Sequence, residues 1–205
     1  MFTKAFDKRV YQVLLVLLGT TVVGVSFSLY ALWPDNVESG YQPEQPLAYS
    51  HELHAGELKI PCLYCHTGAD RCAHAGVPAL ATCMKCHQEV QSKDSRGQVK
   101  PATALLLEHW ERQAPIHWVK VNNVADFVYF DHSRHVSYWD AAAGAHRWRI
   151  ECQECHGPVE EMEVVYRESS LKMGWCLECH RQEPRPDTAP GLTSRGPTHC
   201  SACHR

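Results

Sequence analysis

The sequence predicts one N-terminal transmembrane helix followed by a domain of short helices and loops, with little sheet, wrapped around bound prosthetic groups. The run from Val10 to Leu32 contains no charged residue. As a helix it would be about 34 Å long, enough to span a hydrocarbon core of about 30 Å. The rest of the chain repeats the string Cys-x-x-Cys-His five times and has little regular periodicity between the repeats. Such a domain cannot build an ordinary apolar core, so the prosthetic groups must supply it.

The residues on either side of the apolar run predict its orientation and its retention. Lys4, Lys8 and Arg9 precede it, whereas Asp35 and Glu38 follow it. Because positive residues favour the cytoplasmic side, the N-terminus is expected in the cytoplasm and the main domain in the periplasm or its equivalent. The run is longer than the apolar region of a cleaved signal peptide and does not end in small residues. Residues 1–33 are therefore predicted to form a cytoplasmic tip and an uncleaved, single-pass anchor in the inner membrane.

The five Cys-x-x-Cys-His motifs use ten of the eleven cysteines and five of the fourteen histidines. This string is the attachment sequence for c-type haem. Its two thiols can form thioethers with one edge of a porphyrin, and the following imidazole can bind the iron as the proximal ligand. The predicted attachment residues are Cys62, Cys65, Cys83, Cys86, Cys152, Cys155, Cys176, Cys179, Cys200 and Cys203. The predicted proximal ligands are His66, His87, His156, His180 and His204. We therefore expect five covalent haem c groups.

Other uses of this composition are disfavoured. Five cysteine pairs cannot be shared two per zinc ion, and zinc has no need of a histidine after every second cysteine. An odd number of cysteines does not suit a disulfide scaffold, which also leaves the adjoining histidines unexplained. A net charge of −3 and a pI near 6.5 give no basic surface for nucleic acid. Cys72, the remaining cysteine, is predicted to be a buried inert thiol, with a bond to a partner subunit as the alternative.

The motifs fall into a group of two and a group of three, and each group opens on the pattern aromatic-x-His-x-x-His. The first copy holds Tyr49, His51 and His54, and the second holds Phe130, His132 and His135. The predicted divisions after the anchor are a connector at 34–46, a two-haem module at 47–100, a linker at 101–129 and a three-haem module at 130–205. Within the linker, residues 103–113 are predicted to form a short helix and residues 115–130 an extended segment.

Five irons without an open position need five distal ligands. His51, His54, His132 and His135 are the best candidates, because residues three apart on one helical turn can reach two different haems. Met173, just before the fourth motif, is the candidate for the fifth position. A thioether ligand there would raise the potential of that haem above the potentials of the bis-histidine haems. Met162 and a spare histidine such as His146 stay open as alternatives.

With these residues in view, the chain resembles the membrane-anchored pentahaem cytochrome c subunit of alternative complex III, a quinol-oxidising assembly of respiratory or photosynthetic electron transport. The shared features are the anchor, Ser-His-x-x-His at 50–54, the stretch from 116 to 135, Cys-His-Gly at 155–157 and Met-Gly-Trp-Cys at 173–176. The motifs are also similar to those of class III and c7-type multihaem cytochromes. An insert at 138–149, which carries His146, departs from the family pattern.

The resemblance implies that iron-sulfur and membrane subunits take electrons from quinol. The pentahaem subunit would pass them to a mono-haem cytochrome c or a copper protein outside the membrane, and it would not be an enzyme by itself. A stand-alone membrane-anchored multihaem quinol dehydrogenase is the alternative, and a multihaem reductase with an open iron is a weaker one. Full ligation of the five irons would favour electron transfer over a reductase, since no iron would be left open to substrate.

Overall fold

The computed structural model describes residues 4–33, 38–140, 145–148, 150–183 and 195–204. The chain divides into two compact units, Met1–Gly40 and Tyr41–Arg205. The first contains the anchor helix and the second contains all five motifs. Both predicted haem modules lie within the second unit, and their division into two and three stays a prediction.

Helix α1 spans Lys4–Ala31 and contains the predicted apolar run. Its segment Phe6–Ala31 has a mean hydropathy of 2.1 and no buried residues. Large apolar side chains are exposed along its length, among them Leu15, Leu18 and Phe27. A helix whose backbone groups are satisfied internally and whose surface is apolar suits a bilayer. Within the described residues, α1 is the one helix long and apolar enough to cross a membrane.

The second unit is built from short helices, as the sequence predicts. Their ranges are a π-helical turn at Glu52–Glu57, α2 at Cys62–Cys65, α3 at Leu80–His87, α4 at Pro101–Glu111, α5 at His132–Val136, α6 at Gln153–His156, a 3₁₀ turn at Val159–Glu161, α7 at Met173–His180 and α8 at Cys200–Cys203. Each haem motif lies on or at the edge of a helical turn. Residues three apart project from the same side of a helix. The two thiols of each motif therefore share a face.

Two helix starts follow from local chemistry. Pro101 occupies the first turn of α4, where its missing N–H costs nothing. Asp131 caps α5, because its carboxylate accepts hydrogen bonds from the N–H of Ser133 at 2.9 Å and from its hydroxyl at 2.7 Å. The α4 helix confirms the helix predicted at 103–113, and the α5 cap fixes the turn that carries His132 and His135.

The apolar core is small. Leu47, Met84 and Leu106 are buried together, with Trp110 and Trp118 packed against them. A buried cluster of this size is modest for a unit of this length, in keeping with a fold completed by prosthetic groups. The described residues contain one antiparallel strand pair, β1 at Ser137–Asp140 with β2 at Ala145–Trp148.

The predicted extended segment at 115–130 forms neither a helix nor a strand. Three of its backbone groups bind side chains of distant residues, while the Tyr129 N–H donates to the Cys203 carbonyl. The Gln45 amide donates to the Val119 carbonyl at 2.9 Å, and the Val119 N–H donates to Gln45 at 3.0 Å. The Arg167 side chain donates to the Val121 carbonyl at 3.0 Å. These contacts replace the partner strand that an extended chain would otherwise need.

Candidate haem-ligand site

The first aromatic-x-His-x-x-His copy faces two different motif histidines. The ring centres of His51 and His66 are 6.5 Å apart, and the ring planes differ by 4°. The ring centres of His54 and His87 are 6.2 Å apart, with planes inclined by 52°. One turn of chain therefore places one histidine opposite the first motif and one opposite the second.

The second copy repeats this arrangement. His132 lies opposite His156, with ring centres 6.4 Å apart and planes within 3°. His135 lies opposite His180, with ring centres 6.0 Å apart and planes inclined by 25°. The internal repeat seen in the sequence is thus a repeat in space, with near-parallel rings in the first pair of each copy.

The spacing of these four pairs fits one metal ion between each pair of rings. A metal–imidazole bond of about 2.0 Å, plus roughly 1.1 Å from nitrogen to ring centre on each side, gives centres about 6.2 Å apart. Two imidazoles at this distance would both bind the iron of a haem held between them. A tetrahedral zinc site would instead gather four ligands around the ion. The residues present therefore fit haem.

Hydrogen bonds at Nδ1 orient most of the candidate ligand rings. In seven of the candidate ligands Nδ1 lies within hydrogen-bond distance of a backbone carbonyl: His54 with Ser50, His66 with Gly76, His87 with Val90, His132 with Ala73, His135 with Asp131, His180 with Pro197 and His204 with Phe127, at 2.7–3.1 Å. An Nδ1–H that donates to a carbonyl fixes the tautomer and leaves the Nε2 lone pair available. This orientation is typical of metal-binding histidines.

Two partly buried ligand candidates are held neutral. Burial, reinforced by the neighbouring His66 and His54, lowers the pKa of His51 to about 4. Burial and the nearby His132 and His66 lower the pKa of His156 to about 4. Since only the neutral imidazole has a free lone pair, both rings are in the iron-binding form at neutral pH.

An aromatic ring separates the two histidines of each copy. Tyr49 stacks on His54, with ring centres 4.4 Å apart, and meets His51 edge-on at 83°. Phe130 stacks on His135 at 4.5 Å and meets His132 edge-on at 86°. One ring thus fixes both imidazoles of a copy.

Tyr49 offers a direct test of this packing. We expect Tyr49→Leu to lower the free energy of unfolding by about 1 kcal/mol or more, because two aromatic contacts worth about 0.5–1.5 kcal/mol each are lost. Tyr49→Phe is the matched control and should cost about 1 kcal/mol or less, since Phe130 fills the equivalent place in the second copy. Thermal unfolding of the haem-loaded protein measures both changes. Equal losses in the two variants would show that the ring does not matter.

None of the eleven cysteines forms a disulfide, so the motif thiols are free for thioether formation. Cys72 is exposed, and its prediction as a buried thiol was wrong. It lies on a surface turn at 70–73, where Arg71 binds Asp70 at 3.1 Å and the Cys72 carbonyl accepts from the N–H of Ser133 at 3.2 Å. Hydrogen bonding holds the backbone of Cys72 in place, while its side chain faces solvent.

The fifth motif histidine has a different neighbour. The ring of His204 lies 5.6 Å from that of Phe127, and all four repeat histidines face other motifs. Met173 begins α7 and is 64% exposed. Met162, the alternative, is buried at 3% exposure beside Gly157. Its carbonyl accepts from the N–H of Glu52, next to His51, at 3.1 Å. The side chain of His146 lies outside the described residues.

Gly157, which follows the third motif, has a packing role that its motif alone does not reveal. Its φ of +71° lies in the left-handed region that favours glycine. A Cβ at this position would come within 2.9 Å of the Glu168 side chain and 3.3 Å of Met162 Cε. The glycine therefore lets the segments that carry Met162 and Glu168 pack closely against the end of the third motif.

The comparisons with known proteins agree with this geometry at the level of protein class. Over 196 residues the chain is 26% identical to the menaquinone reductase multiheme cytochrome c subunit of Nitratidesulfovibrio vulgaris, covering 90% of this chain and 86% of that protein. No family model matches the chain. The similarity supports a multihaem cytochrome c subunit of a quinone oxidoreductase, and it does not single out alternative complex III.

Proposed function

We propose that this chain carries five covalent haem c groups and transfers electrons as a subunit of a membrane quinone oxidoreductase related to alternative complex III. The observation that supports this most is the set of four histidine pairs with ring centres 6.0–6.5 Å apart. Haem, when bound, supplies an iron that accepts and releases one electron. Irons closed by two protein ligands have no position for substrate, so the chain acts as a conductor and not as an enzyme alone.

The protein residues divide the work of holding the cofactors. The ten motif cysteines form the thioethers, and the five motif histidines are the proximal ligands. His51, His54, His132 and His135 are the distal ligands of the first, second, third and fourth sites respectively. Backbone carbonyls hold seven of the nine histidines by Nδ1. Tyr49 and Phe130 hold the distal pairs in place.

Met173 is the distal ligand that we propose for the fifth site. It precedes Cys176 by one helical turn on α7, and His180 of the same helix binds the carbonyl of Pro197, three residues before the fifth motif, at 2.7 Å. Its exposure in the protein alone leaves the thioether accessible to a cofactor. Methionine as an axial ligand raises the haem potential relative to two histidines.

The apolar α1 helix supports a single-pass anchor, and the preceding Lys4, Lys8 and Arg9 favour an N-terminus in the cytoplasm and a haem domain outside. The proposed partners are membrane and iron-sulfur subunits that exchange electrons with quinone, and a mono-haem cytochrome c or copper protein outside the membrane. The relative's name specifies menaquinone reduction, whereas the family resemblance implies quinol oxidation. The physiological direction of electron flow is therefore part of the test.

Purification from detergent-solubilised native membranes tests this proposal. We expect the full chain to stay in the membrane fraction at high pH and to co-purify with several larger subunits. In that complex a quinol should reduce its haems, or the pre-reduced haems should reduce a quinone. A chain that purifies alone and is still fully reduced by quinol would instead be a stand-alone quinol dehydrogenase. A chain without covalent haem would overturn the proposal altogether.

A further inference from the structure

The chain's own contacts specify which haem sites are neighbours. Sites are numbered here by the order of their motifs along the sequence, from site 1 at Cys62 to site 5 at Cys200. The inference that follows rests on the proposed function, because it concerns the order in which the sites conduct.

Sites 1 and 2 are joined by the turn that carries both of their distal histidines. His51 faces site 1 and His54 faces site 2, with the Tyr49 ring against both.

Sites 1 and 3 are joined by two independent sets of contacts, although the second motif separates them in sequence. The turn at 70–73, which follows the first motif, binds α5: the Ala73 carbonyl lies 3.1 Å from the N–H of His132 and 2.8 Å from its Nδ1. The Asp70 carbonyl accepts from the hydroxyl of Ser137 at 2.7 Å. His132, the distal ligand of site 3, is thus fixed by a segment of site 1.

The second set of contacts lies on the other side of site 1. The N–H of Glu52, next to His51, donates to the Met162 carbonyl at 3.1 Å. Gly56 packs directly on the backbone of Glu160, so that a Cβ there would overlap the carbonyl. The turn that carries His51 therefore packs against the segment that follows the third motif.

Sites 3 and 4 repeat the link seen between sites 1 and 2. His132 and His135 lie on one helix and face sites 3 and 4. Glu154 of the third motif also binds Arg195 at 3.0 Å, and that segment packs on His180 through Gly196.

Site 5 joins the series through site 4. The Pro197 carbonyl accepts from His180 at 2.7 Å, three residues before the fifth motif begins. On the fifth motif itself, the Cys203 carbonyl accepts from the N–H of Tyr129 at 2.9 Å. Tyr129 directly precedes Phe130, the ring that packs against His132 and His135.

We propose that the five haem sites lie in single file in the order 2-1-3-4-5, so that sites 2 and 5 are the two ends of the conductor. The order differs from the sequence in one respect: site 1 stands between sites 2 and 3. Electrons that enter at one end leave at the other. Every electron that passes between site 2 and the three-haem group goes through site 1.

Paired ligand changes test the order in the full-length, haem-loaded protein. A histidine-to-methionine change at a distal position raises the potential of one chosen haem. The double variant His51→Met with His132→Met marks sites 1 and 3, and His54→Met with His132→Met marks sites 2 and 3. Redox titration of each double variant and of its two single variants measures the shifts in haem potential. The difference between the shift in the double variant and the sum of the two single shifts gives the interaction between the two marked haems.

The proposed order predicts a larger interaction between sites 1 and 3 than between sites 2 and 3. An equal interaction, or a larger one for sites 2 and 3 as sequence order would give, overturns it. Mass spectrometry confirms five haems in each variant. Where a methionine variant loses its haem, the lysine variant at the same position replaces it. Five low-spin haems with the wrong coupling would reject the order and leave the proposed function standing, whereas absent haems would reject the function first.

Discussion

Replacing His132 with alanine is expected to leave one of the five haems five-coordinate. His132 faces His156 with near-parallel rings 6.4 Å apart, and alanine supplies no ligand to take its place. That iron should become high-spin and bind carbon monoxide, at about one molecule per chain, while the other four stay closed. Optical spectroscopy with and without carbon monoxide measures the change, and added imidazole should restore the low-spin spectrum by filling the vacated space.

His117→Ala is the matched control for this variant. His117 is exposed on the irregular segment at 115–130, and no ligand role is assigned to it. Its spectrum should match that of the unchanged protein. A His132→Ala protein that stays fully low-spin and does not bind carbon monoxide would remove His132 from the ligand set, and with it the symmetry between the two repeats.

Replacing Met173 with histidine is expected to lower the highest of the five haem potentials. Axial ligation spans about 0.8 V across haem proteins, and exchanging a thioether for an imidazole moves a haem towards the low end of that range. The same variant should lose the far-red absorption that sulfur-to-iron charge transfer gives. Potentiometric titration of the purified protein follows both changes, and Met173→Ala should convert the same haem to a high-spin form.

Met162→Leu separates the two methionines. Met162 is buried against Gly157, and a volume-conserving change there should cost less than about 1.5 kcal/mol in the free energy of unfolding. The haem potentials should not change. If Met162→Leu lowers the highest potential and Met173→His does not, the fifth site uses Met162 and the assignment of Met173 is wrong.

The anchor and the helical character of the second unit were predictable because their signals are local. An uninterrupted apolar run predicts α1, and cysteines three residues apart on a helical turn share a face whatever the rest of the chain does. The pattern aromatic-x-His-x-x-His likewise contains everything needed to aim two imidazoles in different directions. The last two features depend on neighbours within five residues, and the anchor depends on one continuous segment.

The features that escaped prediction depend on distant partners. Residues 115–130 alternate fairly well, yet Val119 pairs with the side chain of Gln45 and not with a strand. Cys72 is exposed because the backbone of its turn, and not its thiol, meets α5. The inference that sites 1 and 3 are adjacent depends on contacts such as the one between Ala73 and His132. No sequence periodicity encodes pairings of this range.

The number and spin state of the haems test the central claim most directly. The intact mass of the purified chain, read together with its oxidised and reduced electronic spectra, gives both quantities in one preparation. Our account predicts five covalently bound haems, all six-coordinate and low-spin, with one at a higher potential than the other four. Fewer than five haems, or a substantial high-spin fraction in the unmodified protein, would contradict it.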